Sequence, residues 1–178
     1  MIKSNLTRTS SLILVGTLSL LAIGNVAATN DNGILEKDDM VVVSEKAWRL
    51  EGSRMFIEAG EKVRIEDLLM GLIVQSGNDS AVALAEHVAG SEEGFADLMN
   101  QTAAELGMVN SHFVNSAGMP HPDHYTTARD VTLLTRAIID QQPDHYAMYA
   151  IREFTWNNIT QKNRNPLLGR DSSIDGVK

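Results

Sequence analysis

The stretch from Ile65 to Gly90 constrains the fold more than any other part of the chain. Ile65, Leu68, Leu69, Leu72 and Ile73 recur at helical spacing, and Gln75-Ser76-Gly77-Asn78-Asp79 then interrupts the apolar run. Ala81, Val82, Leu84, Ala85 and Val88 resume it, and Gly90 ends it. Apolar residues three and four apart mark a helix with one buried face. The spacing predicts a helix over 63–74 and a second closed by Gly90, joined through a polar corner. Such a corner sets the Ser76 hydroxyl and the Asn78 carboxamide side by side against a core, where they can hydrogen-bond a ligand or hand on a proton. Gly77 is expected where a side chain would obstruct the turn. Ser-x-Asn alone is a weak motif, because both residue types also cap helices and close turns, and Asp79 is itself placed to cap the second helix.

The flanking segments supply further elements. Met40-Val41-Val42-Val43 is a β-branched run suited to a strand, Arg54-Met55-Phe56-Ile57 resembles another, and Glu58–Lys62 reads as a turn. Ser91 is placed to cap a third helix carrying Phe95, Leu98, Met99, Thr102 and Leu106, stopped by Gly107. His112-Phe113-Val114 reads as extended, and Gly118–Pro122 as a loop held by two prolines. Thr126 or Thr127 caps a fourth helix with Val131, Leu133, Leu134, Ala137, Ile138 and Ile139, ended before Pro143. Glu153–Trp156 reads as a strand and Asn157–Asn165 as a polar turn region. Trp48, Trp156, Met55, Met70, Met99 and Met108 are expected in the core, and His87 packed or partly exposed. Helices in the middle and strands at both ends suggest a helical subdomain set into a sheet.

Residues 1–28 read as a secretory signal: Lys3 and Arg8 supply the positive start, Leu12–Ile23 the apolar run, and Val26-Ala27-Ala28 the small residues before a cleavage site. The run is short for a membrane span. The organisation expected is a signal over 1–28 followed by a partial catalytic domain over 29–178. The 178 residues carry a net charge of −8 with no basic stripe, which argues against nucleic acid as a partner. No cysteine is present, so disulfides, thiolate catalysis and cysteine-bound zinc are excluded. His121-x-x-His124 lacks a third ligand, so no metal is expected there. Arg129 and Asp130 are assigned to fixing a helix start rather than to chemistry.

Four motifs, in order, raise the weight of the Ser-x-Asn corner: Gln75–Ala81, His124–Asp130, Gln161–Asn165 and Asp175–Lys178. Together they resemble the D-alanyl-D-alanine carboxypeptidases, serine-type penicillin-binding proteins of low molecular mass, over about residues 35–178. The resemblance implies an α/β fold of the α+β type, an antiparallel sheet with packed helices and a helical subdomain, here truncated. It implies removal of the terminal D-alanine of peptidoglycan stem peptides through an acyl-enzyme, without a cofactor or metal, and with β-lactams as inhibitors. On that pattern Ser76 is a proton-relay hydroxyl, Asn78 a substrate-binding amide and Lys178 a cation for the substrate's terminal carboxylate. Export to the periplasm or cell envelope follows, with membrane association only through a C-terminal region past residue 178 or an uncleaved signal.

The family pattern also includes a Ser-x-x-Lys nucleophile motif, and none occurs in the sequence. Counting back from Ser76 reaches Ser10-Ser11-Leu12-Ile13-Leu14, where Leu14 stands in the lysine's place. A leucine accepts no proton, so Ser11 is rejected as nucleophile. Lys178 is followed by no Thr-Gly. Two alternatives to a working carboxypeptidase therefore stand: a peptidoglycan-binding protein without catalysis, and a chain too short of sheet to fold stably alone.

Overall fold

The computed structural model describes residues 36–177, so the signal segment, Ser11, Leu14 and Lys178 lie outside the described residues. Strand β1 (Met40–Val42) pairs antiparallel with β2 (Lys62–Arg64), setting Val41 opposite Val63. Both of these valines are buried and their neighbours face out, the period-two alternation of a half-covered strand. Between the two strands lies α1 (Glu45–Arg49), whose first turn is closed by the Ser44 hydroxyl accepting from the Ala47 N–H. The helix expected from residue 63 begins at Ile65, because Lys62–Arg64 is drawn into β2. Arg54–Ile57 is not a strand: the N–H groups of Met55, Phe56 and Ile57 bond to a buried carboxylate rather than to a ladder.

Helices α2 (Ile65–Gln75) and α3 (Asn78–Ala89) carry the corner, and Gly90, left-handed at φ 75°, ends α3. Helix α4 (Glu92–Glu105) starts under the Ser91 hydroxyl, and α5 (Ala128–Gln141) under that of Thr127. Both caps accept a backbone N–H that the first helical turn leaves unpaired. A short helix α6 (Pro143–Ala147) and a 3-10 turn (Met148–Ala150) follow, with Pro143 in the first turn, where its missing N–H costs nothing.

Strands β3 (Glu153–Trp156) and β4 (Ile159–Lys162) form a hairpin around Asn157-Asn158, both at positive φ (45° and 63°). Asparagine tolerates that region, and two such residues in a row make the turn that matches strand twist. β4 occupies much of the span read as a polar turn. Its residues are mostly exposed, so no apolar alternation announces it, and backbone pairing with β3 holds it.

The core joins the helices to both small sheets. Ile57, Leu68, Ile73, Leu84, Phe95, Met99, Phe113, Leu134 and Ile138 are buried in one cluster, with Met55 and Met108. Met70 is half-buried, and Trp156 is half-buried against that cluster. Trp48 departs from expectation: it is exposed, with the Arg49 guanidinium 5.9 Å from its ring. His87 is exposed too.

Asp130, on the first turn of α5, is buried and ties a neighbouring loop to the helix. Its Oδ2 accepts from the Asn110 N–H (2.9 Å) and from the Ser111 hydroxyl (2.7 Å). Burial pushes its pKa up, but the bonds from Ser111 and Asn110, aided by Arg129, outweigh that and hold it below the ordinary carboxylate value. A pKa depressed by folding adds stability that is full above the unfolded-state value and fades as pH falls through the folded one. Asp130→Asn is therefore expected to flatten the acid side of the stability curve. Thermal midpoints between neutral pH and about pH 2, compared with the parent chain, check this; parallel curves contradict it.

Candidate active-site corner

The corner is tight because Ser76, not Gly77, takes the left-handed conformation (φ 58°, ψ 45°). The N–H groups of Ser76 and Gly77 both return to the Gly71 carbonyl, closing α2. Gly77 has an ordinary φ of −66°, and its role is space. A Cβ there would lie 2.9 Å from Ser80 Oγ, 3.0 Å from Asp79 Oδ1 and 3.2 Å from the Gly71 carbonyl.

Two distant segments grip the corner. From one side, the Ser53 hydroxyl donates to the Gln75 carbonyl (2.6 Å), and the Ser53 carbonyl accepts from the Asn78 N–H (2.8 Å). From the other, the Arg164 N–H donates to the Val74 carbonyl (3.0 Å) while its Nη2 donates to Ser53 Oγ (3.0 Å). Gln161 Nε2 donates to the Arg54 carbonyl (2.9 Å), completing the link. The motif Gln161–Asn165 thus meets the motif Gln75–Ala81 in space. The motif His124–Asp130 instead fixes the start of α5, and Asp175 accepts from the Tyr146 hydroxyl (2.9 Å) beside the 3-10 turn.

Asp79 is the main anchor. It is wholly buried, and its Oδ1 accepts from the N–H groups of Met55 (3.0 Å) and Ser80 (2.9 Å). Its Oδ2 accepts from those of Phe56 (2.9 Å) and Ile57 (3.4 Å), with Arg54 Nε 3.9 Å away. This carboxylate pins a loop whose Phe56 sits at φ 71°, a conformation costly for a bulky residue without such support. The helix-capping role open to Asp79 in the sequence is thus exchanged for a long-range one. Inside the corner Ser80 Oγ and both amide atoms of Gln75 are buried without a partner among the described residues.

The two residues picked out by sequence differ in setting. Ser76 is half-buried, and its hydroxyl has no hydrogen-bond partner among the described residues. Asn78 is 97% shielded: only 3% is exposed, one N–H bonds to the Glu51 carbonyl (2.7 Å), and Met119 Sδ lies 3.8 Å from the same nitrogen. Ser76 can give or take a proton at once; Asn78 is oriented but covered. Lys178 lies outside the described residues. His124 packs edge-on to Phe113 with its ring centroid 5.5 Å away, and burial lowers its pKa. His121 is exposed, and no group of three metal-ligating side chains occurs among the described residues.

Sequence reasoning did not single out Ser53, Glu51 or Met119. Glu51 contributes a backbone carbonyl, Ser53 both its hydroxyl and its carbonyl, and Met119 its thioether, all brought in by loops that no local residue pattern signals. Arg164 stands inside the motif Gln161–Asn165, but its grip on Ser53 spans 111 residues.

The fold is that of the penicillin-binding proteins. The chain is similar to penicillin binding protein 5 from Haemophilus influenzae (TM-score 0.84, 34% identity, 97% of this chain and 50% of that one). It is also similar to penicillin binding protein 6B from Escherichia coli (TM-score 0.80, 36% identity, 91% and 51%). The chain belongs to the D-alanyl-D-alanine carboxypeptidase family, whose model matches residues 20–178. Among curated relatives, D-alanyl-D-alanine carboxypeptidase DacC of Escherichia coli is 45% identical over 147 residues, which is 79% of this chain and 37% of that protein. DacD of the same organism is 40% identical over 155 residues, 83% and 40%. The chain spans about two-fifths of the length of these curated relatives.

Proposed function

We propose that this chain carries the Ser-x-Asn part of a serine-type D-Ala-D-Ala carboxypeptidase that trims the terminal D-alanine from exported peptidoglycan stem peptides. The observation that supports it is the Ser76 hydroxyl, half-buried and without a partner among the described residues, set two residues from a carboxamide bonded to the Glu51 carbonyl. In this reading Ser76 relays the proton that the leaving D-alanine needs, Asn78 aligns the peptide, and Lys178 attracts the terminal carboxylate. Carboxylate attraction lowers the cost of binding, whereas proton relay acts on the reaction itself. Membership of the family and likeness to penicillin-binding proteins support this substrate class and inhibition by β-lactams.

The test is labelling of the product of the full gene with a fluorescent penicillin, alongside release of D-alanine from a stem peptide. A stable adduct is expected. Ser76→Ala is expected to slow its formation by about a hundredfold, the usual size of a lost proton-transfer group. A protein that never forms the adduct contradicts the reading.

The lack of Ser-x-x-Lys favours one second reading, a chain that binds such peptides without cleaving them. It predicts saturable binding with no D-alanine released.

A further inference from the structure

Asn78 presents a physical problem for any role in binding. With 3% of its surface exposed, its carboxamide is closed to a peptide in this conformation. Three groups lie against its side-chain nitrogen. Two are backbone: the Glu51 carbonyl, bonded to Nδ2, and Gly52, where even an added Cβ would stand 2.7 Å from that nitrogen. Both belong to the loop that is pinned to Asp79 through the Met55 and Phe56 N–H groups and to the Asn78 N–H through the Ser53 carbonyl, so moving them strains several hydrogen bonds. The third is the Met119 side chain, 37% exposed, whose sulfur is held by a single long contact of 3.8 Å.

The base beneath Met119 is fixed, while its sulfur has one long hydrogen-bond contact. Asn115 pairs with both backbone groups of Met119, accepting from its N–H (2.8 Å) and donating to its carbonyl (3.0 Å). Ser116 is buried and donates through both its N–H (3.1 Å) and its hydroxyl (2.9 Å) to Glu92, which Lys46 holds at 3.0 Å. A methionine has three rotatable bonds and a thioether that is a weak acceptor. It can swing from Asn78 while the loop stays in place.

We infer that Met119 is the positioning gate of the Asn78 subsite: its thioether occupies the second N–H of Asn78 until the amide carbonyl of an incoming acyl-D-alanyl peptide displaces it. A carbonyl oxygen is the stronger acceptor, so the exchange runs toward the peptide once it is bound. A closed gate reduces apparent affinity by the fraction of open protein. The inference rests on the proposed peptide-binding role of Asn78.

The experiment is a titration of the 178-residue chain, methionine-methyl and amide labelled, with N-acetyl-D-alanyl-D-alanine, followed by NMR. The Asn78 side-chain amide and the Met119 methyl are expected to shift together along one binding curve. Met119→Ala is expected to bind about threefold tighter and to speed hydrogen exchange at the Asn78 amide, because the closed state is gone. A shift at Asn78 with an unmoved Met119 methyl, or unchanged or weaker binding by Met119→Ala, overturns the gate and leaves the binding role of Asn78 standing. No shift at either residue overturns both.

Discussion

Asp79→Ala is expected to cost about 3–5 kcal/mol of folding stability, the range for stripping a buried, fully engaged charge from its partners. The carboxylate accepts four backbone N–H groups, and three of them belong to Met55, Phe56 and Ile57, which have no strand to bond to. Alanine leaves these donors buried or half-buried without acceptors, and each pays its own desolvation cost. Phe56 would also lose the contact that keeps it at φ 71°. Asp79→Asn should lose less, since one oxygen remains. Urea unfolding of the three proteins checks the order, and an alanine variant within about 1 kcal/mol of the parent contradicts it.

Phe113→Ala is expected to be comparably costly, about 3–5 kcal/mol, as for other fully buried aromatic truncations. Phe113 is 1% exposed within the core cluster, and His124 meets it edge-on. Its backbone is clamped twice by Asn100, which accepts from the Phe113 N–H (2.9 Å) and donates to its carbonyl (2.7 Å). Asn100→Ala acts on the same segment, so the double variant should fall short of the sum of the two single losses. Additive losses in denaturant unfolding would show that Asn100 and Phe113 are not coupled.

What could be read in the sequence were the features with a local cause. The two apolar helices, the Ser91 and Thr127 caps and the Gly90 stop follow from spacing within a few residues. The Ser76–Asn78 corner was legible for the same reason, since a polar break inside an apolar period has few structural outcomes. One failure depended on partners far along the chain, and the others on exposure that residue type does not reveal. Arg54–Ile57 has the composition of a strand, but Asp79 lies 22 to 24 residues away from the amides it takes. Strand β4 lacks apolar alternation because most of it is exposed. Residue type points Trp48 to the core, whereas the structure leaves it on the surface beside Arg49. Gly77 stands where a side chain would obstruct the turn, as its place in the motif suggests, because Ser80 and Asp79 approach it closely; the left-handed conformation falls on Ser76 instead.

The central claim is that the Ser76–Asn78 corner recognises peptides ending in D-Ala-D-Ala. Calorimetric titration of the purified chain with a muropeptide of that ending tests it most directly, with Asn78→Ala as the control and circular dichroism confirming its fold. The account predicts saturable binding by the parent chain and its loss in Asn78→Ala. Absence of binding by the parent, or equal binding by the variant, would contradict it.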